Sequence, residues 1–417
     1  MPALLTPPLS LYVHFPWCVR KCPYCDFNSY TLQGELAADP YVARLERDLE
    51  AQAGDVAGRE VVSVFFGGGT PSLFPPAAIA RVLGAARRHL ALAPVAEVTL
   101  EANPGAIERG AFREYRAAGV TRVSLGAQSF DAKILAALGR IHSPDETRRA
   151  AGELHAAGLT NFNLDLMYAL PGQDRAGALA DVDAALALAP AHLSHYQLTL
   201  EPGTVFAARP PPLPDEDEAA AMLEACASRL AAAGFAHYEV SAYARPGRQC
   251  RHNLNYWTFG DYLGVGAGAH GKLTFPERGA IVRTVQPREP RRYLAAAPGE
   301  LTRKPVSAVE LPFEFMLNAL RLTAGFALDT FVARTGLPRS GIAPTLERLL
   351  ARGLLDRTPE GYRPSDLGLR FLNDLLVDFM PESPEMSGAF ALSIAPAAGS
   401  QGRLRPLFTG AESAVGE

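Results

Sequence analysis

Three cysteines carry the most specific chemistry in this chain. Cys18, Cys22 and Cys25 stand in a C-x3-C-x2-C spacing just after a short apolar run at 9–15. Thiolates this close together can converge on one soft metal centre. Iron–sulfur clusters ordinarily take four cysteines, so a cubane held by three would leave one iron open to a small chelating molecule. Two plainer readings stand beside it: a partial zinc site, or a reduced loop with no metal. Zinc sites add a second cysteine pair or histidines downstream. The other two cysteines here, Cys226 and Cys250, are distant and have no such spacing.

Further candidates follow similar apolar runs. G-G-G-T-P-S at 67–72 places Gly68, Gly69 and Thr70 after the run at 60–66. Glycines there allow close backbone approach and positive φ, and exposed N–H groups can hold a carboxylate; a tight turn before a helix would read the same. Glu101 ends a third run, where a carboxylate could accept from two ribose hydroxyls or simply face solvent. Gln128 has the same position after a fourth run, and Arg140 lies in L-G-R-I-H. Asp165 sits in an otherwise apolar run, where an unpaired charge is costly; it needs a ligand or a partner, such as an arginine. Tyr12 points from the first run toward the cysteine loop. Tyr24, between the last two cysteines, could shield a cluster or stack on adenine. H-N-L-N-Y-W at 252–257 gathers His252, Asn253, Tyr256 and Trp257. Such a set could ligate iron and pack a flat macrocycle, or bury its histidine in a loop network.

The elements that must position these groups alternate. Short apolar or β-branched runs at 9–15, 60–66, 95–101, 120–126, 161–166 and 192–200 are separated by Ala/Leu/Arg-rich helical stretches at 41–53, 76–90, 107–118, 143–157 and 175–188. Strand–helix alternation implies parallel strands joined by right-handed crossovers, in a doubly wound or barrel fold. Six repeats of roughly 30–50 residues point to an open, partial (β/α)6 barrel, whose chemistry gathers at the C-terminal ends of the strands. The motifs at the runs above fall on such loops. The proline run at 210–214 cannot be helical, and the acids after it suit a helix N-terminus. Residues 209–305 read as a linker and mixed region completing the core. Within it, 277–305 holds Arg278, Arg283, Arg288, Arg291, Arg292, Arg303 and Lys304, either a solvated connector or a basic rim for substrate carboxylates. Residues 306–378 read as a mainly helical domain in which a helix at 345–355 runs into a small hairpin, a winged-helix outline. Residues 379–417 are Ala-, Pro-, Gly- and Ser-rich and read as a disordered tail.

Composition narrows the classes. Of 417 residues, 48% are hydrophobic and 20% charged, ordinary for a globular protein. A net charge of −4 gives no electrostatic case for nucleic acid, in the wing domain or elsewhere. No apolar run reaches the roughly 18 residues of a membrane span, and no basic n-region marks a signal peptide. Five cysteines, three of them clustered, are no disulfide framework. The expected compartment is reducing, the cytoplasm by default.

The cysteine spacing, with an aromatic residue before Cys25, resembles the radical S-adenosylmethionine (SAM) superfamily. Y-V-H-F-P before the cysteines and C-D-F-N-S at 25–29 resemble its branch of oxygen-independent coproporphyrinogen III dehydrogenases and HemW-type haem chaperones. The likeness spans about residues 9–375, residues 1–208 forming the partial barrel. It implies that Cys18, Cys22 and Cys25 hold a [4Fe–4S] cluster whose open iron binds SAM. Tyr12, Gly68 and Glu101 match positions for that SAM; Gly69, Thr70, Gln128, Arg140 and Asp165 match those for a second. H-N-x-x-Y-W resembles the haem-linked signature of the chaperones. The dehydrogenases carry a further cysteine two residues after the third, where this chain has Phe27. The resemblance therefore implies a chaperone that binds haem and hands it to acceptor proteins. A flavodoxin or ferredoxin would be the electron donor, with peripheral membrane contact through acceptors. A coproporphyrinogen III dehydrogenase and a zinc-holding structural protein are the alternatives.

Overall fold

The computed structural model describes residues 2–105 and 111–381. Six parallel strands follow one another in space as in sequence: β1 (Leu9–Phe15), β2 (Glu60–Gly68), β3 (Ala91–Ala102), β4 (Arg122–Gln128), β5 (Phe162–Tyr168) and β6 (His192–Gln197). Helices α1 (Ala38–Gln52), α2 (Pro76–His89), α3 (Phe112–Ala118), α4 (Pro144–Ala156) and α5 (Arg175–Ala187) connect them. The six strands and five helices occupy the expected places; of the helix expected at 107–118, residues 107–110 lie outside the described residues. Helix starts follow local chemistry. Ser143 and Glu146 form a capping box, and Asp174 accepts from Gly177 N–H. After the proline run, Asp215 accepts from Glu218 N–H and opens α6 (Glu216–Ala232).

The sheet extends beyond the six repeats. Strands β7 (Ala236–Glu239) and β8 (Ala242–Ala244) form a hairpin, and β8 pairs antiparallel with β6. At the other edge β9 (Asp261–Val265) runs parallel to β1. Three antiparallel strands follow outward: β10 (His270–Phe275), β11 (Ala280–Val285) and β12 (Thr302–Pro305). The order β12-β11-β10-β9-β1-β2-β3-β4-β5-β6-β8-β7 is linear, so this barrel stays open. The stretch at 277–305 is therefore no solvated connector. It supplies two strands and the short helix Pro290–Ala295. Part of its basic charge is paired within the fold: Arg283 with Glu314, Arg303 with Asp55 and Lys304 with Glu310.

Alternation along the strands decides what the barrel holds. Leu11, Val13, Val64, Phe66, Val123, Leu125, Leu164 and Leu193 belong to the main apolar core. The intervening Ser124, Asn163, Asp165, His192 and Ser194 line a cleft inside the curve of the sheet. Helix α7 (Arg251–Trp257) packs across the inner face, its Asn255 Nδ2 donating to Ser10 Oγ and to the Asp261 carbonyl (both 2.9 Å). The H-N-L-N-Y-W stretch is thus helical rather than a loop network.

The C-terminal domain has a second core around Phe313, Phe315, Phe331, Leu346, Leu349 and Leu375, which Phe259 and Ile281 join from the barrel side. Helix α8 (Ala343–Ala351) leads into the antiparallel strands Leu355–Arg357 and Gly361–Pro364, with Phe326–Ala327 as third strand. This is the anticipated winged-helix outline. The expected tail lies, from residue 382 onward, outside the described residues.

Candidate functional site

Every candidate cluster, SAM or haem residue named from the sequence lines one cleft of about 430 Å³ at the C-terminal end of the parallel strands. The loop carrying the cysteines is clamped at its base. Trp17–Cys18 pairs with Tyr30–Thr31, and Lys21 Nζ donates to the Phe27 and Ser29 carbonyls (3.0 and 3.1 Å). Asn28 Nδ2 reaches the carbonyls of Ala267 and Arg288 (both 3.0 Å). Cys25 N–H donates to the Cys22 carbonyl, and Cys25 Sγ lies 3.8 Å from Ser29 Oγ. Burial pushes the Cys18 thiol up to about 11 and raises Cys25. Loading a metal would therefore release their protons.

The glycines act differently from expectation. Gly68 N–H donates to Glu101 Oε2 (3.1 Å), Gly69 N–H to the Phe15 carbonyl (2.7 Å) and Thr70 N–H to the Trp17 carbonyl (2.8 Å). These donors are all engaged within the chain, that of Gly68 on a carboxylate. The glycines also permit close packing. Gly68 has φ +112°, and a Cβ there would meet His14 Cε1 at 2.5 Å; one at Gly69 would meet the Trp17 carbonyl oxygen at 2.6 Å. The His14 ring is itself fixed, Nδ1 3.0 Å from Tyr12 Oη and Nε2 2.9 Å from the Asn28 carbonyl. Burial drives it down to about 4, a neutral imidazole.

Arg140 joins the cysteine loop to the barrel. It donates to Asn103 Oδ1 (2.5 Å), the Gly126 carbonyl (2.8 Å) and Cys22 Sγ (3.7 Å), while Asn103 Nδ2 donates to Thr70 Oγ1 (3.0 Å). Gln128 has φ +66°, uncommon outside glycine. A register slip between β4 and β5 turns it there, and its Oε1 accepts from Tyr196 Oη (2.8 Å). Asp165 makes no arginine ion pair among the described residues. It accepts from Asn163 Nδ2 (2.7 Å) and Ser124 Oγ (3.2 Å), and burial still pushes its carboxyl up. Tyr24 packs beside Phe206, its hydroxyl raised by burial.

On α7, His252 is buried against Phe65, with Nδ1 3.3 Å from Ser63 Oγ. Burial alone drives it down to about 3, so the ring is neutral. Asn253, Tyr256 and Trp257 line the same wall, and the buried Trp257 Nε1 has no partner among the described residues. Among the lining residues not anticipated, two are arginines set deep in the wall. Arg321 comes from the C-terminal domain, stacks 4.3 Å over Trp257 and pairs with Glu239 at 3.2 Å. Arg122, at the start of β4, is 2% exposed. Its signal was the period-two polar position inside an apolar run; Arg321 had no local signal at all.

Comparison with known proteins fits this geometry. The model of the radical SAM superfamily matches residues 12–185, and that of the HemN C-terminal domain matches residues 306–371. The chain is 49% identical over 376 residues to heme chaperone HemW of Escherichia coli (strain K12), covering 90% of this chain and 99% of that one. It is 43% identical to heme chaperone HemW of Haemophilus influenzae over 388 residues, covering 92% and 100%. A mouse protein, radical S-adenosyl methionine domain-containing protein 1, mitochondrial, is 38% identical over 392 residues, 90% of this chain and 88% of its own. The solved coproporphyrinogen III oxidase HemN of Escherichia coli shares the fold, with TM-score 0.76 at 23% identity over 90% of each chain. With its cysteine loop, open barrel and C-terminal wing all accounted for by these relatives, the chain belongs to the HemW family of the radical SAM superfamily.

Proposed function

We propose that the chain is a haem chaperone that holds a [4Fe–4S] cluster on Cys18, Cys22 and Cys25, binds SAM beside it, and binds haem along α7 for delivery to acceptor proteins. The observation that carries this reading is 49% identity across 99% of a protein named heme chaperone HemW. The donor set favours a cluster over one zinc ion. Among the described residues no three His, Cys, Asp or Glu side chains converge on a single ion position, whereas a cluster asks each thiol only to reach its own iron. When bound, the cluster would supply an electron to SAM. Lys21 and Arg140 offset thiolate charge, and Glu101 and Gln128 present acceptors to a nucleoside. His252 Nε2 makes no described hydrogen bond and is the nitrogen available to haem iron. Phe27, 37% exposed at the cleft, stands where the dehydrogenases carry a cysteine.

No helix of the described residues is long and apolar enough to cross a membrane. We place the protein in the cytoplasm, reduced by a flavodoxin or ferredoxin and meeting membranes only through acceptors. Haem titration of the reconstituted protein is expected to give a Soret band that His252→Ala weakens. Anaerobic incubation with coproporphyrinogen III, SAM and a reductant is expected to give no protoporphyrinogen; robust turnover would replace the chaperone by the dehydrogenase.

A further inference from the structure

Arg122 is a charged side chain with no hydrogen-bond partner among the described residues, on the inner wall of the cleft. Among the described residues its guanidinium donates no hydrogen bond and forms no ion pair, and its Nε is fully shielded. Burial works against its charge, but Cys250, Glu97, Tyr238 and Asp165 together hold it above the ordinary arginine range. Each of these oxygen-bearing groups already takes a hydrogen bond from another donor, and none takes one from Arg122. Glu97 accepts from Arg251 N–H (2.8 Å), Asp165 from Asn163 and Ser124, and Tyr238 Oη from Cys250 N–H (3.3 Å) while meeting His192 Nε2 at 2.8 Å. A guanidinium carries five donors, and burying one unmatched is costly.

The rest of the cleft is biased the same way. Among the described residues, the buried side-chain atoms lining it without a partner are Arg122 Nε, Arg140 Nε, Arg321 Nε and Trp257 Nε1. All are donors, which fits a guest that brings acceptors. Depth narrows which part of the guest. Arg122 pairs with Thr99 while Ser124 pairs with Glu101, so Arg122 lies two residues, roughly 6–7 Å, below Glu101. That sets it below the strand ends that face the cysteine loop, where it feels the charge state of Cys250, the residue before α7.

We propose that Arg122 is a carboxylate receptor on the floor of the cleft, and that the carboxylate it takes is a haem propionate. This rests on the haem reading of α7. Charge-assisted hydrogen bonds of this kind are worth about 1.5–3 kcal/mol, about tenfold or more in affinity.

The test compares haem with haem dimethyl ester, which lacks both carboxylates, by Soret titration of the full-length chain. Wild type is expected to prefer haem by about tenfold or more. Arg122→Gln is expected to lose that preference by weakening haem alone, and Arg122→Lys to keep part of it. Thermal melts guard against a folding artefact. Arg122→Lys keeps the charge that acts on Glu97 and Asp165, so its ligand-free Tm should stay near that of wild type, and its loss of part of the preference then reads the receptor and not the fold. SAM against decarboxylated SAM is the second pair, by equilibrium dialysis. A preference there that depends on Arg122, with none for haem over its ester, moves the receptor to the SAM carboxylate and overturns the propionate assignment. If wild type binds neither tetrapyrrole, the haem reading itself has failed. Equal binding of haem and ester by wild type, or a preference that survives Arg122→Gln, overturns the propionate assignment while leaving haem binding intact.

Discussion

Lys272→Met removes a buried ammonium with little change in side-chain volume and tests the buried ion pair that ties β10 to β9. Lys272 Nζ lies 2.7 Å from Asp261 Oδ1, their side chains 2% and 0% exposed, and 4.3 Å over the Phe259 ring. Asp261 also accepts from Thr274 N–H (2.7 Å), Thr274 Oγ1 (2.8 Å) and Arg59 Nη1 (2.9 Å). Removing one member of a buried pair costs about 3–5 kcal/mol. Arg59 remains, so about 3 kcal/mol is expected, a fall in Tm of about 6 °C or more at about 2–4 °C per kcal/mol. The pH dependence has a definite sign. Burial pushes Asp261 up, but Lys272 and Arg59 outweigh it and hold the carboxyl below its ordinary range. A depressed carboxyl contributes stability above the unfolded pKa, about 3.9, which is lost as pH falls through the folded value. Thermal melts should show a constant gap between wild type and variant from about pH 5 to 8 that closes below about pH 4. A fall in Tm under about 2 °C at pH 7, or a gap undiminished at low pH, would refute the reasoning.

Gly68→Ala should cost about 2–4 kcal/mol in urea denaturation, from positive-φ strain plus the clash with His14. Gly54→Ala, with nothing within 4 Å of the added carbon, should be near neutral. In anaerobic preparations, Cys18→Ala, Cys22→Ala and Cys25→Ala should each lose iron, labile sulfide and charge-transfer absorption. Cys226→Ala, a change at a buried core position, should keep all three; zinc without sulfide in the wild type would restore the zinc reading.

The strand–helix repeats were legible because they rest on local periodicity. Ser10, Tyr12 and His14 alternate with Leu9, Leu11, Val13 and Phe15 in β1, and a run like this declares a strand without a partner in view. The outer strands were not legible for the opposite reason. Arg283 looks solvated in sequence, yet it reaches Tyr262 Oη (2.7 Å) and Glu314 from elements before and after it. The glycine-rich stretch after α7 conceals a tight β9–β10 pairing, where a Cβ at Gly264 would sit 2.0 Å from the His270 carbonyl oxygen. Helix α7 has only seven residues and no side-chain N-cap, so no start signal marked it. The cleft residues were read one motif at a time; only the fold joins Cys22, Asn103 and Arg140 into one hydrogen-bonded link.

A closed parallel barrel ordinarily fills its interior with branched apolar side chains. Here the interior positions of β4, β5 and β6 are Arg122, Ser124, Asn163, Asp165, His192 and Ser194, and a hydrogen-bond chain from His192 through Asn163 to Asp165 holds most of them. Such a chain is rigid when complete and costly where a member is left out. Arg122 is the member left out, on the wall that faces α7. The polar lumen and the open sheet edge therefore have one explanation: the space is kept for a guest that arrives with its own acceptors.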